Sequence, residues 1–297
     1  MYTIGGSKLK DVLKKIVCAL LTMSLFSACL LFSACGGKKP DVPPPNKEEE
    51  IPEEKESVLP QKIDKKDAAG NAEKYAPENV AALPESRLFG KTVYWLGSSV
   101  TYGDASLGDA VPDYIAKRNN CVCVKEAVSG TTLMKSNWSN KTYIDRLLKG
   151  ALPQQAVPDL FVCQLSTNDM YYNQFGEVTA DDVRDMVSFN RYTTAGAIEY
   201  IIAYAKETWN CKIAFYSNPY FEYKNYGYGD IVEIMSKIAA KWQIEFWNMY
   251  EDETMSLFEF DDETLKLYMY DWIHPTRAGY LKWWTPYFEK NIAENIA

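Results

Sequence analysis

Histidine is almost missing from this chain: one residue, His274, in 297. That excludes any mechanism that needs two imidazoles and any His-rich metal site. No Cys-x-x-Cys pair occurs among the seven cysteines, which leaves no basis for a thiolate zinc site; no metal or other cofactor is expected. Positive charge is also short, with a formal net charge of -8. A nucleic-acid partner normally demands a basic face, so none is expected. Internal repeats are absent too. What remains is a chain that is 47% hydrophobic and 14% aromatic, ample for a large core.

The amino-terminal 35 residues read as an export signal. Lys8, Lys10, Lys14 and Lys15 precede an apolar run from Ile16 through Phe32, which ends in Phe32-Ser33-Ala34-Cys35. Small residues before a cysteine resemble the lipobox of bacterial lipoproteins, which implies lipidation of Cys35 and a membrane anchor. Cys29 sits in the same pattern, but cleavage there would leave Leu30-Leu31-Phe32 on the mature chain. An uncleaved anchor or an ordinary secretory signal are the alternatives. Each places the rest of the chain outside the cytoplasm, and the lipidated form belongs on the cell surface. Residues 36–88 are rich in Pro, Glu, Lys and Ala, with no hydrophobic period, and read as a disordered tether.

From 89 to 297 apolar runs alternate with helical patterns. Strands are expected at 92–96, 121–128, 160–165, 212–216 and 244–248. Helices are expected around 107–118, 143–149, 190–208 and 230–241, with a last one opening near Thr276. Such alternation indicates an α/β fold, a five-stranded parallel sheet with helices on both faces and sites at the carboxyl ends of the strands. Cys121, Cys123, Cys163 and Cys211 fall in or beside apolar strand patterns and read as thiols rather than disulfides.

The first strand runs into Gly97-Ser98-Ser99, a tight turn able to lift a hydroxyl above the sheet edge. Ser99 is the candidate nucleophile. A serine needs a base to take its proton as it attacks, and His274 is the side chain suited to that near neutral pH. In Asp271-Trp272-Ile273-His274-Pro275 the carboxylate can hold the ring's Nδ1–H and leave Nε2 free. Pro275 favours an extended His274, and Thr276 can cap the helix that follows. The developing oxyanion needs prepositioned donors; the Ser99 amide, the Gly130 amide and the Asn168 side chain stand at strand ends. Taken singly, Gly130 is a turn glycine and Asn168 an Asx turn or cap.

Gly97-Ser98-Ser99, Gly130, Asn168-Asp169 and Asp271-x-x-His274, in that order, resemble the four blocks of the SGNH hydrolases, also called GDSL-type esterases. The resemblance implies a flavodoxin-like three-layer sandwich. It also implies Ser99 as nucleophile, His274 as base and Asp271 as its orienting partner, with Ser99, Gly130 and Asn168 forming the oxyanion hole. Two positions depart from the family pattern: Ser98 stands for the usual Asp, and Ser166 for the usual Gly. An α/β-hydrolase would need Gly-x-Ser-x-Gly, and Thr101 occupies the last place. The implied activity is hydrolysis of acetyl or other short acyl esters. Tyr102, Trp138, Tyr171, Tyr172, Tyr220, Tyr223, Tyr226, Tyr228 and Trp272 cluster near the expected strand ends and suit sugar rings, so a polysaccharide ester is the expected substrate of a monomeric enzyme. The alternatives are a carbohydrate-binding surface lipoprotein without turnover and an acyltransferase using the same serine.

Overall fold

The computed structural model describes residues 57–222 and 226–296. Cys29, Cys35 and Tyr223 lie outside the described residues. Five parallel strands form one sheet: β1 (Thr92–Gly97), β2 (Val122–Ala127), β3 (Leu160–Gln164), β4 (Lys212–Tyr216) and β5 (Glu245–Trp247). Their order, β2-β1-β3-β4-β5, is the flavodoxin-like one. The chain leaves β1 toward one side for β2 and returns past it for β3. The loops after β1 and β3 therefore diverge, and a crevice opens between them.

Helices follow the strands: α1 (Ser99–Tyr102), α2 (Val111–Asn119), α3 (Tyr143–Leu148), α4 (Thr194–Thr208), α5 (Tyr228–Trp242), α6 (Asp262–Tyr268), α7 (Arg277–Gly279) and, after a π turn over Tyr280–Trp284, α8 (Thr285–Ile296). Both sheet faces are covered, and the strand residues divide between them at period two. Tyr94, Leu96, Phe161, Cys163, Ile213 and Phe215 face one core with α3, α4 and α5. Val93, Trp95, Leu160, Val162, Ala214 and Tyr216 face the other, with α2 and α8. Two helices start later than their periodicity suggests. Leu107 and Gly108 have φ of 61° and 94°, which no helix accommodates, so α2 begins at Val111. Residues 190–193 form a turn, and the Thr193 hydroxyl caps α4 by accepting from Gly196 N–H. The four cysteines at 121, 123, 163 and 211 are free thiols.

The boundary expected at residue 89 does not hold. Residues 57–88 pack on the sheet domain through four short 3-10 turns at 65–67, 69–71, 73–75 and 77–79. Leu59, Ala68, Asn71, Tyr75 and Ala76 are buried. The composition misleads because this strap has no amphipathic period. It is held by scattered apolar points and by hydrogen bonds to distant loops, such as Gln61 N–H to Tyr270 O at 2.9 Å.

Three buried polar side chains set the strand ends. Gln164, closing β3, accepts at Oε1 from Ser98 N–H (2.9 Å), Thr101 N–H (3.2 Å) and Thr101 Oγ1 (2.8 Å). Arg146 on α3 donates to Gly97 O at 2.7 Å, to Glu126 O at 3.1 Å and to Thr131 Oγ1 at 3.3 Å, and so ties the ends of β1 and β2 to the loop beyond. Asp169 accepts from Leu133 N–H at 2.8 Å and Met134 N–H at 3.2 Å, pinning that loop to the end of β3.

Two expectations follow. A Cβ on Gly97 would lie 1.8 Å from Thr101 Oγ1 and 2.9 Å from Gln164 Oε1, so Gly97→Ala forces the turn apart. Urea unfolding of that variant is expected to show a loss of about 1–3 kcal/mol; an unchanged midpoint and slope would refute the close fit. Burial pushes the Asp169 carboxyl up to about 6 even though the Leu133 and Met134 N–H groups, Ser166 and Thr194 pull it down. An unfolded Asp titrates near 3.9, so between those values the native state holds a proton that the unfolded chain has released. This group therefore subtracts stability as pH rises from about 4 to 6. Relative to Asp169→Asn, the wild type is expected to lose stability across that window, and parallel pH–stability curves would count against it.

Candidate active site

Ser99 opens α1 directly after the turn at the end of β1. Gly103, at φ 88°, closes that short helix in the left-handed region, where glycine carries no steric penalty. The Ser99 hydroxyl is not turned to the core polar cluster beneath it; Ser98 and Thr101 occupy that position. Ser98, at the place where the family pattern has Asp, is fully buried and directs its hydroxyl to Gln164 Oε1 at 3.4 Å.

His274 approaches from the loop after α6. Its Nε2 lies 2.8 Å from Ser99 Oγ. Its Nδ1 lies 2.9 Å from both carboxylate oxygens of Asp271. The same carboxylate accepts the backbone N–H groups of Ile273 and His274 at 2.8 Å each, so the Asp-x-x-His segment closes on itself. Burial pushes the Asp271 carboxyl up, but the His274 ring and these two N–H groups outweigh it and hold the carboxyl below the ordinary Asp range. Asp271 thus stays ionised and fixes Nδ1 as the protonated nitrogen, which leaves the Nε2 lone pair for the serine. The loop is anchored on both sides: Asn218, at the end of β4, donates to Ile273 O at 2.9 Å, and Tyr270 N–H donates to His274 O at 2.9 Å. Thr276 caps α7 by accepting from Gly279 N–H, as its position suggested.

Three donor groups stand around the serine's side of the crevice. Ser99 N–H, at the first position of a helix, has no intrahelical acceptor. Gly130 is exposed, at φ 74°, with no other heavy atom within 4 Å of where a Cβ would be, so its backbone is open to a ligand. Asn168 donates from Nδ2 to Thr131 O at 2.9 Å, which uses one of its two amide hydrogens. Ser166, the second departure from the family pattern, donates to Thr131 O at 3.2 Å and accepts from Asn168 N–H at 3.1 Å. Its hydroxyl therefore braces the Asn168 turn.

All five residues singled out from the sequence, Ser99, Gly130, Asn168, Asp271 and His274, belong to the loops on one rim of the sheet. Gln164 and Arg146, which hold that rim, carry no motif in the sequence, and Asp169 stands there only as the neighbour of Asn168, with no sign of its bracing role. The only signal is a polar residue in an apolar setting, Gln164 after Leu160–Cys163 and Arg146 ahead of Leu147-Leu148, which marks the position but not the partner. Among the nine aromatics, Tyr228 is a correction: it is fully buried, and its hydroxyl donates to Leu165 O at 3.0 Å, so it cannot stack on a ligand. Tyr102, Trp138, Tyr171, Tyr172, Tyr220 and Tyr226 are exposed. Among the described residues no cluster of His, Cys, Asp and Glu is arranged to hold a metal ion.

The chain resembles solved structures at low identity. One crystal structure superposes with a TM-score of 0.56 at 18% identity, covering 71% of this chain and 98% of that one. A protein from Lactobacillus plantarum gives 0.51 at 18% identity, covering 70% and 95%. A structure described as a carbohydrate acetylesterase family member from Sinorhizobium meliloti gives 0.48 at 17% identity, covering 69% and 99%. At such identities the likeness is one of fold. No curated protein matches in sequence. The family model for GDSL-like lipases and acylhydrolases matches residues 95–282, a span that runs from β1 through the His274 loop into the π turn. The chain belongs to the GDSL-like lipase/acylhydrolase family.

Proposed function

We propose that this protein is a serine esterase that removes acetyl or other short acyl groups from carbohydrate through a covalent acyl-enzyme. The observation that carries the reading is the 2.8 Å contact between the only imidazole in the chain and Ser99 Oγ, backed by a carboxylate on the opposite ring nitrogen. In the first step Ser99 Oγ bonds to the ester carbonyl carbon while His274 Nε2 takes its proton. The carbonyl oxygen becomes an oxyanion within reach of the Ser99 N–H, the Gly130 N–H and the free Asn168 amide hydrogen. Collapse of the tetrahedral intermediate breaks the bond to the alcohol, which leaves with the proton from Nε2. Water then repeats the sequence and frees the acid.

Access supports the substrate class. Ser99 is only 7% exposed, which favours a small acyl group presented on a larger alcohol. Tyr171, three residues beyond Asn168, lies against Tyr226 with ring centroids 5.6 Å apart, and both are about half exposed. Such open aromatic faces suit pyranose rings. We also propose that the chain is exported and lipid-anchored through Cys35, with the segment ahead of residue 57 as tether. Among the described residues no helix is long and apolar enough to cross a membrane.

A fluorophosphonate probe is expected to label the wild type at Ser99 and to leave Ser99→Ala unlabelled. Turnover of an acetylated glycan is expected to fall on the order of 10³-fold or more in Ser99→Ala and His274→Ala, and somewhat less in Asp271→Asn. Labelling that survives Ser99→Ala would end the serine reading; acetate release from short lipid esters but from no glycan would end the carbohydrate one. For the anchor, metabolic incorporation of a fatty-acid analogue is expected to persist in Cys29→Ser and vanish in Cys35→Ser, and the reverse pattern would move the site.

A further inference from the structure

The strap over residues 57–79 lies outside the span that the family model matches, yet one of its side chains touches both halves of the catalytic pair's support. Asn71 is 2% exposed. Its Nδ2 donates to Ala105 O at 2.7 Å, in the turn that follows α1 and Ser99. Its Oδ1 accepts from Arg277 N–H at 2.9 Å, three residues after His274. The second Nδ2 hydrogen goes to Lys65 O at 2.7 Å, within the strap. All the bonding capacity shown is spent on three backbone groups of three separate segments, so the side chain cannot shift without leaving buried polar atoms unpaired.

The bridge is doubled by Arg277. Its Nε donates to Asp109 Oδ2 at 2.7 Å and its Nη1 to Asn71 O at 3.3 Å, again joining the nucleophile's side to the base's side. Gly70, the preceding residue, sits so close to the base loop that a Cβ would lie 2.0 Å from Leu267 O and 2.4 Å from Thr276 Oγ1. Further along the same strap, Lys65 pairs with Asp104 at 2.5 Å, and the Asp104 carboxyl also accepts from Ser129 beside Gly130. Burial pushes that carboxyl up, but Lys65, Ser129 and the nearby His274 together hold it below its ordinary range.

We propose that Asn71 is a positioning residue for the reaction: it sets the separation between Ser99 and His274 by clamping the backbone that leaves the nucleophile to the backbone that leaves the base. The inference rests on the serine-esterase reading. Proton transfer from Ser99 to Nε2 depends steeply on that separation, whereas binding of the ester does not. The effect therefore belongs in kcat and not in KM.

The test uses the full chain, with p-nitrophenyl acetate and a fluorophosphonate as probes. Asn71→Ala is expected to lower kcat at least tenfold with KM within twofold, and to slow Ser99 labelling by a similar factor at a temperature where circular dichroism shows the variant folded. Asn79→Ala is the control, because the Asn79 side chain bonds to Glu73 within the strap; its kcat is expected to stay within twofold of wild type. If Asn71→Ala does not fold, Asn71→Asp, which keeps the acceptor for Arg277 N–H and loses the donor to Ala105 O, is expected to show the same loss in kcat. A variant with wild-type kcat and labelling but a lower melting temperature would make Asn71 a stabilising residue only and overturn the proposal. Wild-type protein that is not labelled at Ser99 would bring down the serine reading itself, and the positioning role with it.

Discussion

A single hydrogen bond joins residues 175 positions apart, from the imidazole of His274 to the hydroxyl of Ser99, and most of the polar architecture serves its length. Neither partner belongs to a long element. Ser99 sits on a four-residue helix and His274 on a loop, so neither is placed by a rigid rod. The sheet instead holds them through buried side chains. Gln164 fixes the turn below Ser99 from the adjacent strand, and Asn218 reaches from the end of β4 to Ile273. Tyr280 adds a link from the carboxyl-terminal segment, donating to Val100 O at 2.6 Å. Such contacts are worth little as net stability, but each is costly to leave unmade, which makes them suited to specifying geometry.

The topology explains why the donors gather where they do. β1 is flanked by β2 and β3, so the loops that carry Ser99, Gly130 and Asn168 all leave one edge of three neighbouring strands. The two departures from the family pattern are absorbed without disturbing this. Ser98 finds its acceptor in Gln164, and Ser166 bridges Thr131 O and Asn168 N–H. Both hydroxyls shape turns and stand apart from the reacting atoms.

How much of this the sequence carried depends on the range of the interactions concerned. The three central strands, β1, β3 and β4, were legible because each is a short apolar run buried on both faces, and the Asp271-x-x-His274 unit was legible because it closes locally. Helix starts were less so: Leu107 takes a positive φ, uncommon for a residue without a glycine's freedom, and the segment at 190–195 is held by Lys135 N–H, Gln174 O and Phe175 O, which are distant in sequence. The strap was illegible for the same reason. Its Pro, Glu and Lys content reads as solvated chain, and the groups that order it, such as Tyr270 O, Ala105 O and Arg277 N–H, come from segments distant in sequence. Gln164 ends an apolar strand and Arg146 sits within a short helix, and neither position gives a local sign of what the side chain will clasp.

The strap also changes what the leading end of this fold means. Gln61 N–H donates to Tyr270 O, and Tyr270 N–H donates to His274 O, so two backbone links separate the entry of the packed chain from the base. A fragment cut to begin with the first strand would strip away that brace while leaving every sheet residue in place. A tag, fusion or protease nick near residue 60 likewise acts on a segment bonded to the imidazole's loop and is not a neutral alteration of a spare end.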